Sequence, residues 1–209
     1  MAQLSQDPRM LGAYRAGEDL HRLTASLVTG TPLEEVTREQ RQAAKAVNFG
    51  LIYGMGPQGL KDYAKNQYGV ALSLKEARAF KEAFFQAYPG IAAWHDRMRG
   101  ERETRTLAGR LRRWPEARPK VTEVFNAPVQ GTAADILKLA LAGLLPRLEP
   151  IGGRIVAVVH DEVIVEVPEA RAGEAAQAVQ EATAEAGARY LPDLPVTVET
   201  AIASNWSEK

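Results

Sequence analysis

Apolar residues recur at helical spacing through most of the chain, and late in it they give way to two β-branched runs. Leu11, Leu20, Leu23 and Leu27 mark residues 1–30 as helical until Gly30-Thr31-Pro32 breaks the pattern. A new helix is predicted from Thr37, whose pairing with Gln40 makes a capping box. Gly50, Gly54 and Gly56 crowd its far end, where a helix that only packs would favour Ala or Leu; glycine there lets something flat approach the backbone. Asp62–Tyr68 reads as a short helix. Ser73 then caps a long one, Leu74–Gln86, which stops at Tyr88-Pro89-Gly90, and a further helix runs from Ile91 to about Glu103. From Val121 a helix carries the stripe Ile136, Leu137, Ala140, Leu141 and Leu144, with Pro128 marking either a kink or the true first turn. Arg154–Val159 and Glu162–Val167 flank His160-Asp161 as a β-hairpin, residues 169–188 form an Ala/Glu-rich helix, and Pro195–Ile202 predicts a final strand. This order implies an α+β fold with an antiparallel sheet.

The helix that begins at Thr37 carries Arg41, Lys45, Phe49 and Tyr53 at a strict spacing of four. Four residues turn through about 400°, so each member lies about 40° round from the last, along about 18 Å of helix. Cations suit phosphate oxygens and ring faces suit a base or sugar, so one face is able to hold a nucleoside triphosphate end to end. An amphipathic core helix, with the rings turned inward and the cations solvated, gives the same spacing.

Composition narrows the classes. The 209 residues are 45% hydrophobic and 25% charged, ordinary for a globular protein with a real core, in one unit or two packed subdomains. Lys+Arg and Asp+Glu both number 26, so any contact with nucleic acid is local rather than driven by net charge. The absence of cysteine excludes disulfides, thiolate metal sites and cysteine nucleophiles. No apolar run has membrane-spanning length and residues 1–20 hold no signal-peptide core, so no membrane partner and a cytoplasmic setting are expected. At the hairpin tip, Asp161 suits any solvated turn, but His-Asp lacks the Gly or Asn that a two-residue turn with positive φ prefers.

The segment Arg41-Gln-Ala-Ala-Lys45-Ala-Val-Asn-Phe49-Gly-Leu-Ile-Tyr53-Gly54 resembles the fingers helix of family A DNA polymerases, the DNA polymerase I type, at every defining position. His160-Asp161-Glu162 after a hydrophobic strand resembles the palm motif of the same family. The resemblance implies a helical fingers part over about 20–120 and a palm part over about 121–209, with the hairpin at 154–167 in an antiparallel sheet. It implies template-dependent deoxynucleotidyl transfer with primer–template DNA and deoxynucleoside triphosphates as partners. Arg41 and Lys45 would hold the triphosphate, with Lys45 also a proton donor to departing pyrophosphate. Phe49 would pack on the incoming nucleotide, and Tyr53 and Gly54 would lie at the template base. Asp161 would ligate Mg²⁺ of a two-ion site, Glu162 would be an accessory carboxylate, and His160 would neighbour the primer terminus.

Further matches extend the resemblance over nearly the whole chain. Asp19-Leu20-His21 would bring His21 near the triphosphate; Asn126 and Gln130 in Asn-Ala-Pro-Val-Gln-Gly-Thr would meet the duplex near the primer end, Gln130 in the minor groove; Arg110, Arg112 and Arg113 would face phosphates. A lone His, a helix amide and an arginine run are each also met as plain structural or solvated groups. The departure is at the front. The family's Asp-Tyr-Ser strand and its downstream Glu, which supply the second metal ligand and a support beneath the sugar, do not occur in these 209 residues, nor do thumb and exonuclease regions. Asp7-Pro8 reads as a turn opener, not as a replacement ligand. Thr122, Glu123 and Ala203 also stand where the family has other residues. The expectation is a polymerase fragment or split subunit, inactive alone and completed by a separate N-terminal piece. The alternatives are a non-catalytic DNA-binding relic and a truncated frame left with an exposed sheet edge.

Overall fold

The computed structural model describes residues 1–115 and 119–208. The chain divides into two compact units, Met1–Gln130 and Gly131–Lys209, each described by itself. The fold is α+β, mostly helical with two small antiparallel hairpins among the described residues.

The first unit begins with α1 (Ala2–Ser5), α2 (Pro8–Arg15) and α3 (Leu20–Thr29), so the apolar pattern of residues 1–30 is met by three helices. Asp7 caps α2: one carboxylate oxygen accepts from the Arg9 and Met10 N–H groups, and the other accepts from Gly90 N–H at 2.8 Å. The carboxylate is fully buried and spent on backbone, which removes it as a metal ligand. A Cβ at Gly90 would lie 2.6 Å from the Asp7 backbone, so only glycine fits this clasp.

The helix α4 spans Arg38–Ile52, and the Thr37–Gln40 capping box is present with both reciprocal bonds, at 2.9 and 3.1 Å. Its inner face is Ala44, Ala46, Val47, Asn48, Gly50 and Leu51. Next, α5 spans Pro57–Tyr68 and starts earlier than predicted, because a proline in the first helical turn gives up an N–H that has no partner there anyway. The predicted cap at Ser73 opens α6 (Leu74–Ala87) with a second capping box. After Tyr88, α7 runs only over Pro89–Met98. The predicted continuation to about Glu103 fails after Met98: Arg99 turns extended with ψ 120°, Gly100 follows with φ +90°, and Glu103 enters a strand instead.

That strand, β1 (Glu103–Arg105), pairs antiparallel with β2 (Leu111–Arg113). Sequence periodicity missed this hairpin because three residues per strand are too few to show alternation. The helix α8 spans Val121–Leu148, so Pro128 lies inside it and is not its first turn. Trp94, Val124 and Phe125 form a buried cluster joined by Leu4, Met98 and Val121.

In the second unit β3 (Arg154–Val159) and β4 (Glu162–Glu166) form the predicted hairpin, with Val159 opposite Glu162 across the two-residue turn. The register skips Val156, a bulge in β3. Ile155, Val163 and Val165 pack on Leu144, Leu148 and on Ala175, Ala178 and Ala182 of α9 (Ala172–Tyr190), while Val156 and Val158 stay exposed. The predicted strand at 195–202 does not form. Strand geometry needs a neighbour for its N–H and C=O groups, and this segment instead sets Val196 against Gly187 and Thr200 against Gln180 of α9.

Candidate functional site

The stripe of α4 faces outward. Arg41 and Lys45 are half-buried and Phe49 is 43% exposed, which sets aside the reading of a core helix with this ring turned inward. The last member, Tyr53, is the C-cap, and Gly54 follows with φ +78°.

The N-terminus of α3 adds to this face. Asp19 caps it, accepting from the His21 and Arg22 N–H groups at 3.0 and 3.1 Å. Its other oxygen takes the Arg41 Nε–H at 2.6 Å, which uses one of the five guanidinium donors. Partial desolvation opposes the Asp19 charge, but Arg41 and the backbone donors outweigh it and its carboxyl lies below the usual range. The His21 ring lies 5.6 Å from that of Phe49. Burial pushes the His21 imidazole down; Asp19 pulls it back up, and the Arg41 and Lys45 charges lower it further. The sequence brought His21 to this group only through the family segment. The Asp19–Arg41 pair has no local signal, since its partners are far apart in the chain.

Beneath the end of α4 lies an aromatic floor. The Phe125 ring fills the space at Gly54, where a Cβ would sit 2.7 Å from it, so the flat group that the glycine admits is the protein's own side chain. His95 stacks on Phe125 with centroids 4.0 Å apart and an interplanar angle of 15°. Its Nε2–H donates to the Ile52 carbonyl at 2.9 Å, holding the last turn of α4 in place. Burial pushes His95 down, against the raising effect of that hydrogen bond. The unfolded chain therefore takes up a proton below the ordinary imidazole value of about 6.5 that the folded chain resists. This share of stability is complete above that pH and is lost as pH falls through it. His95→Gln keeps a donor for Ile52 but cannot titrate; denaturant unfolding between about pH 7 and 5 is expected to show a shallower acid loss than wild type.

Gln130 is exposed on α8, and its amide donates to the Tyr53 hydroxyl at 2.8 Å. Two residues read from separate motifs are thus joined. Asn126 is half-buried nearby in sequence on the same helix. Of the arginine run, Arg113 is paired with Glu103 at 2.9 Å, the Arg112 guanidinium lies 4.9 Å from the Trp114 ring centroid, and the backbone N–H of Arg110 donates to Thr106 Oγ1. All three side chains are on the exposed surface of the β1–β2 hairpin.

In the second unit His160 takes φ +57° at the first turn position, the conformation that the sequence lacked Gly or Asn to supply. Histidine tolerates it better than most side chains. Both His160 and Asp161 are exposed. Glu162 is half-buried and accepts from Trp206 Nε1 at 3.2 Å, a contact across 44 residues that the sequence did not announce. No group of three or more His, Cys, Asp or Glu among the described residues is able to hold a metal by itself. The lone Asp161 carboxylate suits a hard cation that draws most ligands from phosphate and water, not an all-protein cage. Among the described residues no helix is long and apolar enough to cross a membrane.

The family model for DNA polymerase family A matches residues 1–208. DNA polymerase I of Aquifex aeolicus is 41% identical over 99% of this chain and 37% of its own length. The thermostable DNA polymerase I of Thermus aquaticus is 38% identical over 99% of this chain and 25% of its own. Among solved structures, the POL domain of Pol1 from M. smegmatis, in complex with DNA primer-template and dNTP, matches with a TM-score of 0.79 and 34% identity, over 93% of this chain and 35% of that one. The chain thus spans about a quarter to little more than a third of the length of these relatives.

Proposed function

Because the chain belongs to DNA polymerase family A, we propose that it supplies the nucleotide-binding face and one metal carboxylate for template-dependent deoxynucleotidyl transfer. The observation that carries this reading is the outward cluster of His21, Arg41, Lys45 and Phe49: a base-sized ring beside two cations and an imidazole. Arg41 and Lys45 hold the phosphates and screen their charge as it shifts toward the leaving pyrophosphate. Lys45 hands a proton to that leaving group. Phe49 packs on the incoming nucleotide, and Tyr53, tied to Gln130, borders the template base. Asn126, Arg110, Arg112 and Arg113 contact the duplex, and His160 lies by the primer end.

Asp161 would ligate Mg²⁺, with Glu162 accessory to it; when bound, the ion polarises the reacting phosphoryl group and activates the attacking hydroxyl. The second carboxylate motif is not in these residues, so the complete site needs a family A segment that supplies it. These 209 residues, assayed without such a segment, are expected to give no primer extension. The DNA-binding relic differs from this reading in needing no nucleotide.

A titration of the ¹⁵N-labelled chain with dATP tests the reading. Shifts are expected at His21, Arg41, Lys45 and Phe49, with Arg41→Ala weakening binding about tenfold, as loss of a charge-assisted contact would. Saturable primer–template binding with no response to dATP would favour the relic.

A further inference from the structure

Behind the outward face of α4, a line of buried polar groups runs inward from His21. His21 Nδ1 lies 2.9 Å from Asn48 Nδ2, Asn48 Oδ1 accepts from the Thr24 hydroxyl at 3.0 Å, and Thr24 Oγ1 lies 2.8 Å from the Tyr88 hydroxyl. Thr24, Asn48 and Tyr88 are at most 1% exposed, so water does not substitute for either link among these three. The line has a direction. A threonine hydroxyl has one hydrogen, and here Asn48 Oδ1 receives it, so Tyr88 must donate to Thr24. The Asn48 oxygen is thereby committed inward and its N–H₂ faces His21, which must answer with a lone pair on Nδ1. Reversing the line would leave the Tyr88 hydrogen buried with no acceptor, because Thr24 Oγ1 is its one hydrogen-bond partner among the described residues.

We propose that Asn48, Thr24 and Tyr88 are positioning residues that hold His21 as the neutral imidazole with its proton on Nε2, presenting a fixed N–H donor to a bound triphosphate. The role rests on the reading of this face as a triphosphate cradle. The charged groups facing His21 agree with a neutral ring. Arg41 and Lys45 of α4 disfavour a third cation, and the Asp19 carboxylate at the cap of α3 is already bonded to Arg41. A neutral donor adds a directed hydrogen bond without a further charge.

The chain has three histidines, and ¹⁵N-imidazole NMR of the whole chain, with His21→Gln to assign the signal, reads the tautomer directly. Wild type is expected to show His21 Nδ1 unprotonated and Nε2 protonated at neutral pH. Asn48→Asp, whose carboxylate only accepts, should move the proton to Nδ1 and raise the His21 titration. Thr24→Val should give mixed tautomers and weaken dATP binding about tenfold, with Thr24→Ser restoring both. The wild-type spectrum decides even if a variant does not fold: an Nδ1–H tautomer overturns the proposal, as does a folded Thr24→Val chain with an unchanged tautomer. Failure of wild type to bind dATP while His21 shows the expected tautomer would instead remove the cradle, and with it the role.

Discussion

Asp161→Ala is expected to lower the rate of template-directed nucleotide addition by at least about a thousandfold in the enzyme completed with the family segment carrying Asp-Tyr-Ser. Asp161 occupies the second position of the β3–β4 turn, an exposed carboxylate on a hairpin whose ladder and packing do not depend on it. Its removal should therefore leave folding stability within about 0.5 kcal/mol, the ordinary range for a surface substitution. The strained residue is its neighbour His160, which carries the positive φ. A rate loss without a stability loss separates a metal ligand from a turn residue, and single-turnover primer extension beside a denaturant melt measures both. Extension by Asp161→Ala within tenfold of wild type would end the metal assignment.

Lys45→Ala should lower the rate constant for chemistry by about a hundred- to a thousandfold, as loss of a proton donor together with a phosphate contact does. Lys45 sits between Arg41 and Phe49 on the outward face, whereas its neighbours Ala44 and Ala46 are buried, so truncation leaves the packing of α4 untouched. Lys45→Arg distinguishes the two roles. A guanidinium restores charge and phosphate binding but does not give up a proton, so KM for the nucleotide should recover while kcat stays low. Full recovery of kcat in Lys45→Arg would leave Lys45 as a binding residue alone.

The parts of this structure that were legible in the sequence are those set by local rules. The Thr37–Gln40 box and the Ser73 cap placed two helix starts to the residue, and β-branched runs around a polar pair placed the hairpin. Spacing also put Arg41, Lys45 and Phe49 on one face, but could not say that the face was outward; that depended on Ala44, Val47 and Leu51 finding partners elsewhere in the chain. What escaped was long-range or conditional. Asp19 meets Arg41, Tyr53 meets Gln130, and Phe125 fills the notch at Gly54, each through packing that no local pattern encodes. Pro195–Ile202 was expected as a final strand, yet a strand exists only where a neighbour completes its hydrogen bonds, and α9 took its side chains instead. His95 was passed over because a single histidine in a helix carries no spacing signal; its place against Phe125 and Ile52 gave it meaning.

The central claim is that this chain brings the nucleotide face and one of two metal motifs to a polymerase site. The measurement that tests it most directly is primer extension by this chain, by a family A segment carrying the Asp-Tyr-Ser strand and its downstream Glu, and by the two together. The account predicts template-directed extension only from the pair. Extension by this chain alone, or none from a pair shown to bind each other and primer–template, would contradict it.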